Sequence, residues 1–252
     1  MKILVVGILI VFLLFLTVPI AAINQEDLLK FKSTKICEKC DLSGAKLRWV
    51  KVRNSKLKHT NLSNADLSGA YLTNSDMSKV NLSMANLKEV KLRKSNLTKI
   101  NMYKSNLTKA NLVEANLTKA SLIDANLAEA NLNNANLNNA NLNNANLSRT
   151  NMKKVFLKKA ILRNANLKRA DLSMADLRYA DLSGANLKRA SLSKALLTNA
   201  ILKNTDLSQT DLREVILSKA NLKGANIKWA KLNNTIFCRT IMPDGNENNS
   251  GC

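Results

Sequence analysis

The chain has 252 residues, of which 46% are apolar and only 4% aromatic, with seven glycines and two prolines. Its formal net charge at pH 7 is +21, from 39 Lys and Arg residues against 18 Asp and Glu residues. The abundance of Leu excludes a simple disordered chain. The charge does not restrict the fold, but it indicates anionic partners.

The N-terminal residues 1–22 predict export. Lys2 is followed by the apolar run "ILVVGILIVFLLFLTVPIAA", which ends in the small residues Ala21 and Ala22. A basic start, an apolar run and small residues are typical of a secretory signal peptide. The alternative is an uncleaved membrane anchor facing outside the cytosol, because about 20 apolar residues can span a bilayer. Both alternatives place the body of the protein outside the cytosol, as a secreted, periplasmic or envelope protein.

Residues 23–39 predict an N-terminal cap built on a short helix. In "NQEDLLKFKS", Asn24 is a helix N-cap and the two following acids favour the first turn. We expect Leu28, Leu29 and Phe31 to share one apolar face. Such a helix would cover the open end of the segment that follows.

Residues 40–239 repeat with a period of five. From Leu42 to Phe237 every fifth residue is apolar, and 34 of these 40 positions are Leu. The residue two places earlier is Ala in 24 repeats, and the residue between is Asn or Asp in 26. The stretch "ANLNNANLNNANLNNANL" shows the pattern most clearly. Its predicted core residues are Leu132, Leu137, Leu142, Leu147, Ala135, Ala140 and Ala145.

This period fits neither a helix nor a strand. Five residues advance a helix by about 140° beyond one turn, so the leucines would make no stripe. In a strand, five is odd, and successive leucines would point to opposite faces. The chain must therefore turn by a fixed angle at each repeat so that every Leu faces a common axis. That is a solenoid, for which perfect short-period repetition is the sequence signature.

The unit A-(D/N)-L-x-x, in repeats such as "ANLTKA", "ADLSGA" and "ADLRYA", resembles the pentapeptide-repeat family over residues 40–239. The resemblance implies an all-β fold, a right-handed quadrilateral β-helix with four repeats in each coil. Forty repeats would then make about ten coils and a rod of roughly 48 Å. Family members often dimerise through their C-terminal coils, so the resemblance also implies a homodimer.

The last residue of each repeat is expected to lie in a turn with positive φ. All four in-phase glycines after position 40 fall there, as do several asparagines. Gly and Asn are the residues that tolerate this conformation. They are Gly44, Gly69, Gly184, Gly224, Asn134, Asn139 and Asn144.

Residues 240–252 predict a flexible polar tail. The repeat phase fades after Phe237, and "PDGNENNSGC" has the composition of a turn followed by a loop. No C-terminal cap is evident, and an uncapped apolar end would favour dimerisation. The spacing of Cys238 and Cys252 does not assign a pairing, and Cys252 could bridge to another chain.

Cys37 and Cys40 form the one CxxC motif in the chain. Redox and zinc interpretations exist for this spacing. Cys40 occupies the inward small-residue position, however, and the chain has no second ligand pair and only one histidine. A structural disulfide is favoured. We predict no catalytic residue, no cofactor and no metal site.

Stacking by 20 residues aligns a candidate basic binding face, interrupted by Asn139, Tyr179 and Asn199. Such a column could meet phosphate, an anionic glycan or a lipid headgroup. The alternative is a solvated exterior that keeps a long rod soluble. The column is Lys79, Lys99, Lys119, Lys159, Lys219 and Arg239, and neighbouring columns add Lys58, Lys158, Arg178, Lys168, Arg169, Lys188 and Arg189.

A second stack of apolar residues occupies positions that usually hold Asn or Asp. This candidate interface is broken by Asp176, and Ile161 and Ile201 lie on the next face. An exposed apolar stripe would mark a partner or homodimer surface. Alternatively, these side chains pack among themselves or against the tail. The stack is Phe156, Leu196, Ile216 and Ile236.

Three function classes compete. An enzyme needs a pocket with converging titratable groups, which a filled rod with one histidine does not provide. The resemblance implies DNA mimicry that occupies DNA gyrase, but such a rod must be acidic, and this chain is strongly basic. We therefore predict a non-enzymatic, exported interaction or structural rod that binds a protein or an anionic surface such as lipid headgroups, lipopolysaccharide or glycan. Nucleic-acid or gyrase binding is the disfavoured alternative.

Overall fold

The structure, a computed structural model, describes residues 24–252. The predicted signal peptide or anchor at residues 1–22 lies outside the described residues. Within residues 24–252, no helix has the length and apolar character needed to cross a membrane.

The first element is helix α1, Gln25–Thr34. Its N-cap is Asn24, whose Oδ1 accepts a hydrogen bond from the Asp27 amide at 3.1 Å. Phe31 is completely buried, and Leu28 packs partly against the same core. Leu29 is 67% exposed, contrary to the expected three-residue face. Residues 28 and 31 are three apart and share a side of the helix, whereas residue 29 is rotated about 100° from residue 28.

Beyond α1 the chain forms stacked coils held by isolated parallel bridges between residues 20 apart. The bridges run from Ile36↔Lys56 to Asn221↔Ile241. Twenty residues are four repeats, so each coil has four sides and each repeat makes one of them. Between coils, the Leu132 amide donates to the Asn151 carbonyl at 2.7 Å, and the Asn151 amide donates to the Ala130 carbonyl at 3.0 Å.

The leucine and alanine positions form one continuous core along the rod. The Leu and Ala side chains of the central Asn-rich stretch are all fully buried. Each side chain lies between the aliphatic side chains at the same position of the coils above and below, which gives the close packing typical of protein interiors. These are Leu132, Leu137, Leu142, Leu147, Ala135, Ala140 and Ala145.

Every repeat from residue 39 to residue 239 ends in a residue with positive φ. In a representative turn, the Ala135 amide donates to the Leu132 carbonyl at 2.9 Å, and Asn134 has φ of 55°. This is a β-turn whose third residue lies in the left-handed region. The conformation is imposed even on lysine: Lys119 has φ of 60°. Its amide is fixed by a 3.0 Å hydrogen bond to the Asn138 carbonyl in the next coil.

The C-terminal residues differ from the expected flexible tail. Strand β1 (Thr240–Ile241) pairs antiparallel with strand β2 (Glu247–Asn248). A disulfide joins Cys238 to Cys252, so Cys252 is used within the chain and does not bridge to another. The Gly251 amide donates to the Phe237 carbonyl at 2.6 Å. A turn at residues 242–245 reverses the chain and folds its polar end back onto the last coil.

This hairpin covers only one side of the C-terminal end. The chain leaves the coil after Ile241, and no further coil lies over residues 226–235. Ile227, Ala230 and Leu232 are consequently only partly buried, and Trp229 is 68% exposed. The end is half covered, not open across its full width as the sequence suggested.

The axial packing predicts a large stability loss for Leu142→Ala. Leu142 is fully buried, and removal of a buried leucine side chain typically costs about 2–5 kcal/mol of unfolding free energy. Chemical denaturation measures this change. Lys119→Asn is the control, because Lys119 is exposed and Asn occupies the same turn position elsewhere; it should change the free energy by less than about 0.5 kcal/mol. Equal losses in both variants would contradict the axial core.

Candidate functional site

Positive charge is concentrated at the turns. Each coil has four two-residue turns, which we name the 39, 44, 49 and 54 corners after their first left-handed residues. Each corner comprises that residue, the one before it, and their equivalents every 20 residues. Thirty of the 39 Lys and Arg residues lie at these corners. The faces between them, named the 36, 41, 46 and 51 faces after their first bridging residues, contain eight acids against five basic residues.

The faces are poor in basic residues because their bridging side chains are engaged in hydrogen bonds. The Asn131 Oδ1 accepts from the Asn133 amide at 3.1 Å, closing a local turn. Between coils, the Asn101 Nδ2 donates to the Asn81 Oδ1 at 3.0 Å. Asn and Asp meet these demands and a lysine does not. Long cations are therefore directed to the corners.

The predicted basic column lies along the 39 corner. All six residues are exposed and have positive φ, and within residues 24–252 none of them is in an ion pair. Lys158 and Arg178 lie on the same corner. The Lys158 Nζ is 5.9 Å from the ring centroid of Tyr179. The column comprises Lys79, Lys99, Lys119, Lys159, Lys219 and Arg239.

The predicted apolar stack lies on the 36 face, next to this corner. Phe156 is 48% exposed and Ile236 39%, and bridges connect Leu196 to Ile216 and Ile216 to Ile236. On the 41 face, which borders the corner on its other side, Ile201 is also exposed. The structure thus brings the basic column and both apolar stacks to one edge of the C-terminal half. The 46 and 51 faces remain polar in these coils.

The acids that interrupt the two apolar stacks are each paired with an arginine. Asp176 receives two hydrogen bonds from Arg178, at 2.8 and 2.6 Å. Asp181 accepts from the Arg163 Nε at 2.6 Å. The Arg178 side chain lowers the pKa of Asp176. Burial raises the pKa of Asp181, but hydrogen bonds from Ser183 and Arg163 outweigh it and leave that pKa below its ordinary value.

Cys37 and Cys40 are joined by a disulfide. The Asp27 carboxylate lies within 4.8 Å of both sulfurs, but bonded sulfurs are not the thiolates that a metal requires. Asp27 instead accepts a hydrogen bond from the Asp41 amide at 2.8 Å. This cluster ties α1 to the first coil.

Arg149 was not among the predicted basic residues. It lies on the 49 corner one coil before Arg169 and two before Arg189, both of which were recognised. The 20-residue spacing would have identified it, since Arg149 lies four repeats, or one coil, before Arg169. A concavity of about 440 Å³ is lined by Arg149, Lys168 and Arg169, together with Glu129, Ser148 and Asn166.

Comparison with known families assigns the repeats. Residues 125–164, 165–204, 190–228 and 200–239 match the family described as Pentapeptide repeats (8 copies). Residues 45–122 match the Pentapeptide repeat region. The chain belongs to the pentapeptide-repeat family. This pentapeptide-repeat protein has no significant match among curated protein sequences.

Solved structures of the same family are similar to this chain. HetL, a pentapeptide repeat protein involved in heterocyst differentiation regulation from the cyanobacterium Nostoc sp. strain PCC 7120, is 31% identical with a TM-score of 0.51, over 88% of this chain and 98% of HetL. Rfr23 from the cyanobacterium Cyanothece 51142 is 22% identical with a TM-score of 0.30, over 70% of this chain and 97% of Rfr23. Trypsin-treated QnrB1, a plasmid-mediated fluoroquinolone resistance protein, is 18% identical with a TM-score of 0.38, over 78% of this chain and 87% of QnrB1.

The Asp176–Arg178 pair predicts a pH-dependent contribution to stability. A carboxyl group whose pKa is lower in the folded than in the unfolded state stabilises the fold at pH values above its unfolded pKa of about 3.9. This contribution is lost as the pH falls through the lower pKa of the folded state. The unfolding free energy of Asp176→Asn should therefore approach that of the unsubstituted protein as pH falls below about 4. Denaturation across this range measures the difference. In an Arg178→Gln background, Asp176→Asn should show much less pH dependence; an unchanged dependence would contradict the assignment.

The exposed apolar stack predicts an interface role for Ile216 and Ile236. The double substitution Ile216→Asn, Ile236→Asn should leave a folded rod, because Asn is the commonest residue at this position of the repeat and occupies three consecutive coils of the same face, at residues 96, 116 and 136. Circular dichroism and thermal unfolding check the fold. We expect the variant to change the oligomer mass measured by light scattering or the set of proteins captured by crosslinking. If both stay the same, these side chains do not form an interface.

Proposed function

We propose that this pentapeptide-repeat protein is a non-enzymatic, exported rod that binds an anionic partner through the 39 corner. The observation that carries the proposal is the column of six exposed side chains on that corner, from Lys79 to Arg239, none of which forms an ion pair within residues 24–252; Arg178, on the same corner, is paired with Asp176. About ten coils, covered at the N-terminal end by α1, would make the rod stiff. A stiff rod holds these charges at fixed distances of one to three coils, that is, at multiples of roughly 4.8 Å, the spacing of neighbouring strands.

Export is supported by one feature of the sequence and one of the structure. The N-terminal 22 residues have the pattern of a signal peptide or anchor. All four cysteines are in disulfides, and disulfides persist in oxidising compartments outside the cytosol. A bacterial envelope or a secreted protein is consistent with both features.

The charge argues against the DNA-mimic role within the family. A rod that replaces DNA on a DNA-binding surface must present negative charge, and this chain has a formal net charge of +21. The role in heterocyst differentiation belongs to HetL, and drug resistance belongs to QnrB1; neither is transferred here. Direct binding to nucleic acid is the alternative, on charge alone.

A homodimer through the C-terminal coils is a secondary part of the proposal. Ile227 and Leu232 are only partly buried at the half-covered end, and Trp229 projects beside them. A second copy could bury these side chains while keeping the two basic columns exposed. The tail disulfide would leave this half of the end accessible.

The test is salt-dependent retention of the exported protein on heparin, lipopolysaccharide, anionic vesicles and duplex DNA. We expect retention at low salt on a non-nucleic-acid surface, and weaker retention of Lys79→Asn, Lys99→Asn, Lys119→Asn on lipopolysaccharide or anionic vesicles. Asn139 and Asn199 occupy the same turn position, so this triple variant should fold. Absence of retention on every surface would overturn anionic-surface binding. Retention on DNA alone would favour the nucleic-acid alternative.

A further inference from the structure

Three arginines stack directly above one another on the 49 corner. Arg149, Arg169 and Arg189 occupy the same turn position in consecutive coils, with φ of 57°, 61° and 60°, and all three are exposed. Lys168 and Lys188 precede the second and third of them. Five cations therefore lie within two coil rises, roughly 10 Å of the rod axis.

At the equivalent positions elsewhere, the rod pairs opposite charges between coils. Lys94 contacts Glu114 at 3.4 Å, and Lys194 contacts Glu214 at 3.7 Å. On the 49 corner itself, Lys109 contacts Glu129 at 3.8 Å. Side chains stacked 20 residues apart at these turns can therefore come within ion-pair distance. Three successive arginines replace this attraction with repulsion, which a bound anion would relieve.

The arginines have no acidic partner of their own. Within the described part of the chain, none of the five cations forms an ion pair. Arg189 donates from Nε to the neutral Gln209 Oε1 at 2.5 Å. The one acid lining the concavity beside Arg149 and Arg169 is Glu129, which Lys109 already contacts.

The surroundings of this corner restrict the class of anion. The flanking 46 and 51 faces carry polar side chains, such as Asn166 and Ser191, and offer nothing apolar to insert into a bilayer. The corner has no aromatic residue between residues 148 and 209, and base stacking is the usual basis of single-strand nucleic-acid binding. Arginine forks match the oxygens of phosphate and sulfate groups in two-point contacts. Three stacked guanidinium groups can therefore bind several charged groups that repeat along one ligand.

From this arrangement, we propose that Arg149, Arg169 and Arg189, with Lys168 and Lys188, form a binding site for a water-soluble polysaccharide carrying sulfate or phosphate groups. The proposal rests on the proposed function only in that the rod binds anions. It places the charged polysaccharide on the 49 corner and not on the 39 corner. Successive arginines bind successive charged groups along the sugar chain. Ser148 and Asn166 line the adjacent concavity, where sugar hydroxyls would lie.

The experiment compares two triple variants of equal charge. Arg149→Asn, Arg169→Asn, Arg189→Asn removes three positive charges from three consecutive coils, and Lys79→Asn, Lys99→Asn, Lys119→Asn removes three from the 39 corner. Asn is compatible with positive φ at this turn position, as at Asn139 and Asn199 on the 39 corner and at Asn134 and Asn144 on the 54 and 44 corners. Circular dichroism and thermal unfolding establish that each variant is folded. Titration calorimetry with a size-defined heparin oligosaccharide measures affinity, and a duplex DNA of equal charge and anionic vesicles are the comparison ligands.

We expect the arginine variant to bind the heparin oligosaccharide about tenfold more weakly than the unsubstituted protein, through the loss of three charge-assisted contacts. The lysine variant should change by less than about threefold. Arg149→Lys, Arg169→Lys, Arg189→Lys keeps the charge but loses the planar fork, and its affinity should fall between these values.

Other outcomes separate the two proposals. Equal loss in both triple variants would overturn the arginine site and leave only a diffuse basic rod. Loss in the lysine variant alone would overturn the arginine site while supporting the 39 corner. Tighter binding of duplex DNA or of vesicles than of heparin would overturn the polysaccharide assignment. No binding to any of the three ligands would overturn both proposals.

Discussion

The left-handed residue at the end of each repeat is the constraint on which this fold depends. Each turn closes within a few residues: the Ala135 amide donates to the Leu132 carbonyl, and the third turn residue, Asn134, has the positive φ of a type II turn. Closing the turn brings the next leucine back to the axis. One residue more or fewer would rotate every later side chain out of phase. The coil can impose this conformation on Lys and Arg because their amides are fixed by hydrogen bonds, to the next coil as for Lys119, or to the Asn249 side chain for Arg239.

The same constraint divides the surface into two chemical zones. The bridging residues must satisfy local and inter-coil hydrogen bonds, which selects Asn and Asp, and the turn side chains project freely into solvent. Positive charge therefore accumulates in four columns along the corners. A charge pattern that looks scattered in sequence becomes linear in space. Residues that are a multiple of 20 apart lie on the same corner or face. The binding properties of such a rod therefore depend on which residues are separated by that spacing.

Most of the repeat architecture could be predicted from the sequence because its period admits no helix or strand. The period placed Leu142 and Ala140 in the core and aligned Lys99 with Lys119. Three features required the structure. Leu29 was misassigned because a short apolar cluster does not show which side of a helix packs. The Cys238–Cys252 pairing depends on a chain reversal that spacing does not encode, and the Asp176–Arg178 pair depends on side-chain conformations within one repeat.

The two most basic corners differ in what surrounds them, and that difference determines what each can recognise. The 39 corner is bordered in the C-terminal half by Phe156, Ile216 and Ile201, so a ligand there must tolerate apolar contact as well as positive charge. Around its three stacked arginines the 49 corner is bordered by Asn, Asp and Ser, and desolvating it brings little hydrophobic gain, so affinity must come from ionic contacts. An amphipathic partner suits the first corner and a hydrated polyanion the second. A single rod can bind both ligands together, because corners 39 and 49 are separated by the 44 corner and do not share a face.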